Sequence, residues 1–172
     1  MALLAQRGLQ ATSFSEVLAA TGAPRGSLYH HFPGGKDQLV SAAVGQAGAV
    51  LSNALDAVAG QPAQAVVERF LAIWRAVLTR SQCQAGCAVL AVTVAADSED
   101  LLAEARAVLH AWQNRLADLL VQGGMEQAAA APFATMLIAS AEGAVVLARA
   151  ERSMGPFEAV AAQLLQMAST LG

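Results

Sequence analysis

The chain has 172 residues, of which 56% are hydrophobic and only 13% charged, with a formal net charge of −3. That length allows one or two domains with a sizeable apolar core, and so few charges require much apolar surface to be hidden, within the chain and against a partner subunit. The balance excludes wholesale coating of nucleic acid, yet it is uneven: residues 1–44 hold Arg7, Arg25 and Lys36 against Glu16 and Asp37, whereas residues 45–172 hold 7 basic and 11 acidic side chains.

Met1-Ala2-Leu3-Leu4-Ala5 runs at once into polar residues and Gly8, without the apolar run of a signal peptide, which predicts a cytoplasmic protein. Residues 1–7 read as the last two turns of a helix closed by Gly8, with Leu9 folding back on it. Ser13-Phe14-Ser15-Glu16 then has capping-box spacing, a hydroxyl at the N-cap and a carboxylate three residues on, so a short helix begins near Phe14. Phe14, Val17 and Leu18 give it an apolar side, and Gly22 follows its last turn, where a left-handed conformation costs glycine no Cβ clash. Pro24 suits the first position of a second helix, because its ring fixes φ and its missing N–H would be unpaired there anyway.

That second helix, residues 25–31, carries little apolar bulk except Leu28, with Phe32 just after it, so its outward side faces something polar. Arg25, Ser27, Tyr29, His30 and His31 are side chains suited to guanine edges, other bases or phosphates. Gly26 lets the backbone approach a surface closely, at a helix cost of roughly 1 kcal/mol against Ala. Lys36 stands at the start of the next helix, where its ammonium and the free N–H groups can hold one phosphate together.

The run Phe14, Gly22, Gly26-Ser27-Leu28-Tyr29, Phe32, Lys36-Asp37 and Leu39 resembles the DNA-binding signature of TetR-family transcriptional regulators. Pro24-Arg25-Gly26 and His30-His31-Phe32-Pro33-Gly34-Gly35-Lys36 resemble the LmrA/YxaF-like subgroup, and the motif covers roughly a quarter of the chain. The resemblance implies an all-α protein, with an N-terminal three-helix helix-turn-helix DNA-binding domain at 1–45 and a C-terminal helical ligand-binding and dimerisation domain at 46–172. It places Arg25, Ser27 and His30 at base edges or nearby phosphates, Tyr29 and Lys36 on phosphates, and Gly26 in the same helix. The alternative for Tyr29 and His31 is packing against the first helix of the motif, since such residues divide between docking and packing. Family members carry more residues ahead of the first helix, including basic ones, and this chain's short start departs from that pattern.

From Asp37 to about Ala59, Val40, Val44, Ala47, Leu51, Leu55 and Val58 recur at helical spacing, predicting one long amphipathic connector that Gly45 and Gly48 soften. Gly60-Gln61-Pro62 breaks it. A helix over 63–80 follows, with Val66, Phe70, Trp74 and Val77 on a broad apolar face. Residues 83–96 do not distinguish a short buried helix from a strand by periodicity, though the lack of strand signals elsewhere favours helix. Asp97 or Ser98 caps a helix bearing Leu101, Ala105, Leu109, Trp112, Leu116 and Leu119, which Gly123-Gly124 end. The next helix tolerates Pro132 only in its first turn or at a kink, and residues 133–150 are apolar nearly all round, predicting burial on both sides. Its alanines, Ser140 and Glu142 argue against a membrane span. Met154-Gly155-Pro156 precedes a final amphipathic helix carrying Phe157, Val160, Ala161, Leu164, Leu165, Ala168 and Leu171. By resemblance, the last two long helices pair with their copies in a homodimer, and two recognition helices about 34–36 Å apart read a palindromic double-stranded operator.

Cys83 and Cys87 share a face if their segment is helical and are candidates for oxidant sensing, but small core residues are the simpler reading. With His110 they lack a fourth metal ligand at any usual spacing, and no arrangement of catalytic groups or cofactor motif stands out, so the chain is read as neither an enzyme nor a metalloprotein. The resemblance implies a small-molecule effector within the helical body, for which Phe70, Trp74, Trp112, Met136 and Ser140 are candidate lining residues; each also fits plain core. Glu142 either meets a partner such as Arg149 or awaits a cationic ligand, with pairing preferred. The rival function is a helical dimer that binds a small molecule or a protein without binding DNA.

Overall fold

The computed structural model describes residues 1–171, which form nine α-helices and no strand. They are α1 (Ala2–Arg7), α2 (Phe14–Thr21), α3 (Arg25–His31), α4 (Gly35–Asp56), α5 (Ala63–Arg80), α6 (Ala88–Thr93), α7 (Glu99–Gln122), α8 (Gln127–Glu151) and α9 (Gly155–Leu171). The all-helical expectation holds, and the ambiguous segment after Cys83 resolves as the short helix α6. Packing divides the chain into two compact units, residues 1–48 with 87–109, and residues 49–86 with 110–172; α4 and α7 each contribute to both.

In the first unit, the local signals act much as their chemistry dictates. Ser13 Oγ accepts the Glu16 backbone N–H at 3.2 Å, while the Glu16 carboxylate is taken by Arg7 on α1. Gly22 adopts φ 67° and ψ 11°, and its N–H closes α2 on the Leu18 carbonyl. Pro24 sits one place earlier than expected, as the N-cap of α3, with its carbonyl accepting the Ser27 N–H at 3.0 Å. Leu4, Leu9, Leu28, Val40, Val44, Val89, Val92, Leu101 and Ala105 are buried in this unit. The contacts tie α1 to α6, and Gln10 Nε2 donates to the Ala95 carbonyl at 3.4 Å. Ser41 on α4 hydrogen-bonds Glu104 on α7. Gly48 is buried, and a Cβ there would meet Val108 Cγ1 at 3.0 Å.

The second unit is built on α5, α8 and α9. Phe70, Leu71, Leu78, Leu116, Leu119, Leu120, Leu137 and Phe157 are among its fully buried side chains. α7 begins in the first unit, where Ser98 proves to be its cap, accepting the Leu101 N–H at 3.4 Å. At the other end of α7 the Gly123 carbonyl accepts the Ala63 N–H at 2.9 Å, and a Cβ on Gly123 would lie 2.4 Å from that nitrogen. Arg75 grips Glu158 with Nε and Nη2, each 2.7 Å from a carboxylate oxygen, and its guanidinium lies 5.7 Å from the Phe157 ring centroid. The hydrogen bond from Arg75 holds the Glu158 carboxyl below the usual carboxylate range and exceeds the opposing effect of burial.

In α8, Pro132 and the uncovered side stand out. Pro132 lies inside the helix, past its first turn, at an exposed position where the carbonyl freed by the missing N–H can reach water. Within its own chain the helix is covered on one side: Ala128, Pro132, Thr135, Ala139, Gly143, Val146, Leu147 and Ala150 are exposed, with Val146 at 51% and Leu147 at 52%, the side for which the resemblance implies a second copy. By length and composition α8 passes for a membrane span, but half of its most apolar window is buried, as in a core helix.

Candidate nucleic-acid interface

In α3, burial of Leu28 fixes which way the helix faces. Leu28 is 7% exposed, whereas Arg25, Gly26, Ser27, Tyr29, His30 and His31 are all exposed. A seven-residue helix with one buried side chain is an amphipathic clamp whose remaining surface is available to a partner. Tyr29, 59% exposed, rests edge-on against Phe14 at 5.1 Å between ring centroids. Phe14 thus packs against the ring, as the packing alternative has it, while most of the surface of Tyr29 stays open. His30 and His31 meet edge to face at 5.4 Å.

The positive side chains of this face are free to act. Arg7 is engaged by Glu16, but Arg25 and Lys36 enter no ion pair among the described residues. Lys36 is half-buried as the second residue of α4. Ahead of it, the Gly34 N–H donates to Gln38 Oε1 at 2.9 Å, which orders the turn entering α4. Gln38 was not singled out from the sequence; its position four residues after Gly34, matching a helical turn, was the available signal. A Cβ on Gly26 would meet nothing within 4 Å, so the intrachain packing does not demand glycine there.

The candidate effector residues all fall in the second unit. Phe70 and Trp74 are buried and meet edge to face at 6.4 Å. Trp112 is buried on α7, while Met136 and Ser140 are half-buried one turn apart on α8. Trp74 Nε1 is buried with no hydrogen-bond partner among the described residues, an arrangement that costs about 1–3 kcal/mol for a neutral donor. Glu142 is buried too. An apolar groove of about 240 Å³ lies elsewhere, in the first unit, lined by Leu3, Leu4, Val17, Leu39, Val40 and Ala43 among others. Cys83 and Cys87 do not share a helical face: Cys83 stands in a turn at φ 57° with Sγ 3.7 Å from Met154 Sδ, and Cys87 caps α6 through its sulfur. Among the described residues no group of three or more His, Cys, Asp and Glu side chains is placed to hold a metal ion.

An open recognition helix set on a capped short helix, followed by a long all-helical body, defines a helix-turn-helix regulator, and the chain belongs to the TetR family of bacterial transcriptional regulators. Residues 1–43 match the bacterial regulatory proteins of the tetR family, and residues 62–163 match the C-terminal domain of LmrA/YxaF-like transcriptional regulators. An HTH-type transcriptional regulator of Mycobacterium tuberculosis is 34% identical over 171 residues, spanning 94% of this chain and 86% of that one. The HTH-type transcriptional regulator LmrA of Bacillus subtilis is 26% identical, over 87% of this chain and 82% of its own. The crystal structure of a TetR regulatory protein from Rhodobacter sphaeroides shares the fold with a TM-score of 0.84, at 24% identity over 95% of this chain and 92% of that one. The protein is thus a DNA-binding transcriptional regulator, and the rival without DNA binding is set aside.

Proposed function

We propose that this regulator is a cytoplasmic repressor, which binds a palindromic operator as a homodimer and leaves it when a small molecule occupies the helical body. The observation that carries the reading is the exposed outer side of α3, where Arg25, Gly26, Ser27, Tyr29 and His30 stand clear of the core on the anchor of Leu28. Arg25 would read a base edge, and Tyr29 and Lys36 would fix the register on phosphates. The functional boundary lies near residue 45, with DNA contact before it and ligand binding and dimerisation after it.

Support for the second copy comes from the open stripe of α8, whose exposed positions from Ala128 to Ala150 carry no charged side chain, while the adjacent α9 leaves Ala162, Met167 and Leu171 exposed. Water-exposed apolar surface of that extent on two adjacent long helices fits the same surface of another copy. The effector reading rests on Phe70, Trp74, Trp112, Met136 and Ser140 as lining residues of the body.

Fluorescence anisotropy against duplexes from beside the gene, with a scrambled duplex as control at about 0.15 M salt, tests the proposal. Selective binding that Arg25→Ala weakens by roughly 1–3 kcal/mol is expected. Equal binding of wild type and Arg25→Ala to both duplexes would refute the assignment of α3.

A further inference from the structure

We infer that Trp74 supplies the hydrogen bond by which the body recognises its effector, and that the effector class is an uncharged, largely apolar molecule carrying a carbonyl or ether oxygen. The inference rests on the effector reading above and narrows it to one donor and one ligand chemistry. Buried polar atoms in native proteins are almost all satisfied, so one that is not calls for a reason. Trp74 is 5% exposed and its Nε1–H meets no acceptor among the described residues. A phenylalanine would fill such a place with aromatic surface and strand no donor, as Phe70 does one turn earlier. The indole therefore brings something that packing does not use.

The surroundings select the rest of the ligand. An indole N–H only donates, which requires an acceptor on the partner. The Phe70 ring, fully buried and edge-on at 6.4 Å, favours an apolar body beside that acceptor. The cation next in sequence, Arg75, has its guanidinium fork spent on Glu158 and offers no free charge to an anion. A free carboxylate would enter the body without a counter-charge from that residue.

The test uses the full chain labelled with ¹⁵N, whose two tryptophans, Trp74 and Trp112, give two indole N–H resonances that Trp74→Phe and Trp112→Phe assign. Three probes of similar size are titrated: acetophenone, α-methylstyrene, in which a methylene replaces the carbonyl oxygen, and 1-phenylethylamine as its ammonium. The expected result is a downfield movement of the Trp74 indole proton with the ketone alone, and ketone binding roughly three- to tenfold tighter than alkene binding. In Trp74→Phe that preference disappears. Equal binding of ketone and alkene to wild type, a ketone preference retained in Trp74→Phe, or no movement of the Trp74 resonance with the ketone would each overturn the inference. Preference for the ammonium would overturn it as well. The wild-type resonance needs no variant, so the test survives a poorly folding Trp74→Phe. Operator anisotropy with the same probes separates the two readings. A probe that weakens operator binding while the Trp74 resonance stands still removes the donor role and keeps the effector reading. One that moves the resonance without touching operator binding keeps the donor site and removes its regulatory role.

Discussion

Replacing Gly26 by alanine should make the protein more stable and its DNA binding poorer, two effects of opposite sign from one methyl group. Gly26 is the second residue of α3, and a Cβ built on it meets nothing within 4 Å. Within the chain, alanine therefore brings only its helix preference, about 1 kcal/mol over glycine in a helix interior and somewhat less in a helix this short. For a domain of this size that corresponds to a rise in melting temperature of roughly 2–4 °C. On the DNA side, the same methyl group projects from the exposed side of the recognition helix and holds the backbone off the duplex. Losing one hydrogen bond to a charged phosphate costs about 1.5–3 kcal/mol, or at least tenfold in affinity. Thermal melting and operator anisotropy on the same preparation measure the two effects. A variant that is more stable with unchanged operator affinity would refute the close-approach role of Gly26, and a less stable variant would refute the packing argument.

Three further outcomes are expected. Gly123→Ala drives a Cβ to 2.4 Å from the Ala63 nitrogen and 2.7 Å from the Gln61 carbonyl, both backbone atoms, and should destabilise by about 2–4 kcal/mol in urea titrations; an unchanged midpoint would show that the α5–α7 junction is free to move. Because the folded Glu158 carboxyl is held below its ordinary range, its pair with Arg75 contributes stability above the unfolded carboxylate value and loses it as pH falls through the lowered native value. Glu158→Gln should remove that share of the acid sensitivity, and because both side chains are more than a third exposed the share is below about 1 kcal/mol; an identical acid profile in wild type and variant would remove the pair from the account. Leu147→Glu places a charge on the open stripe of α8 and should shift sedimentation toward monomer with the helical circular dichroism unchanged; a dimer that persists would put the interface elsewhere.

The sequence by itself determined the features that arise within a few residues. Ser13 before Phe14, Gly22 after the last turn of α2 and Pro62 before Ala63 mark helix ends, because each satisfies or removes backbone groups in its own turn. The periodicity of 63–80 reappears as α5 with those same bounds. In the recognition helix, a lone Leu28 among polar neighbours already announced which side is buried.

Tertiary structure decided the partners between elements, which no local spacing encodes. It sent the Glu16 carboxylate to Arg7, joined Arg75 to Glu158 across 83 residues, and set Gly48 against Val108. It also decided which side of α8, apolar nearly all round in sequence, its own chain covers and which stripe it leaves open. Hydropathy records that a side chain avoids water but not whether its own chain or a second copy provides the cover. The unmet Trp74 N–H belongs to the same class of fact. An indole reads as core from sequence because its ring area dominates its transfer energy, and only the arrangement of α5 with its packed neighbours determines whether an acceptor lies within reach of its one donor.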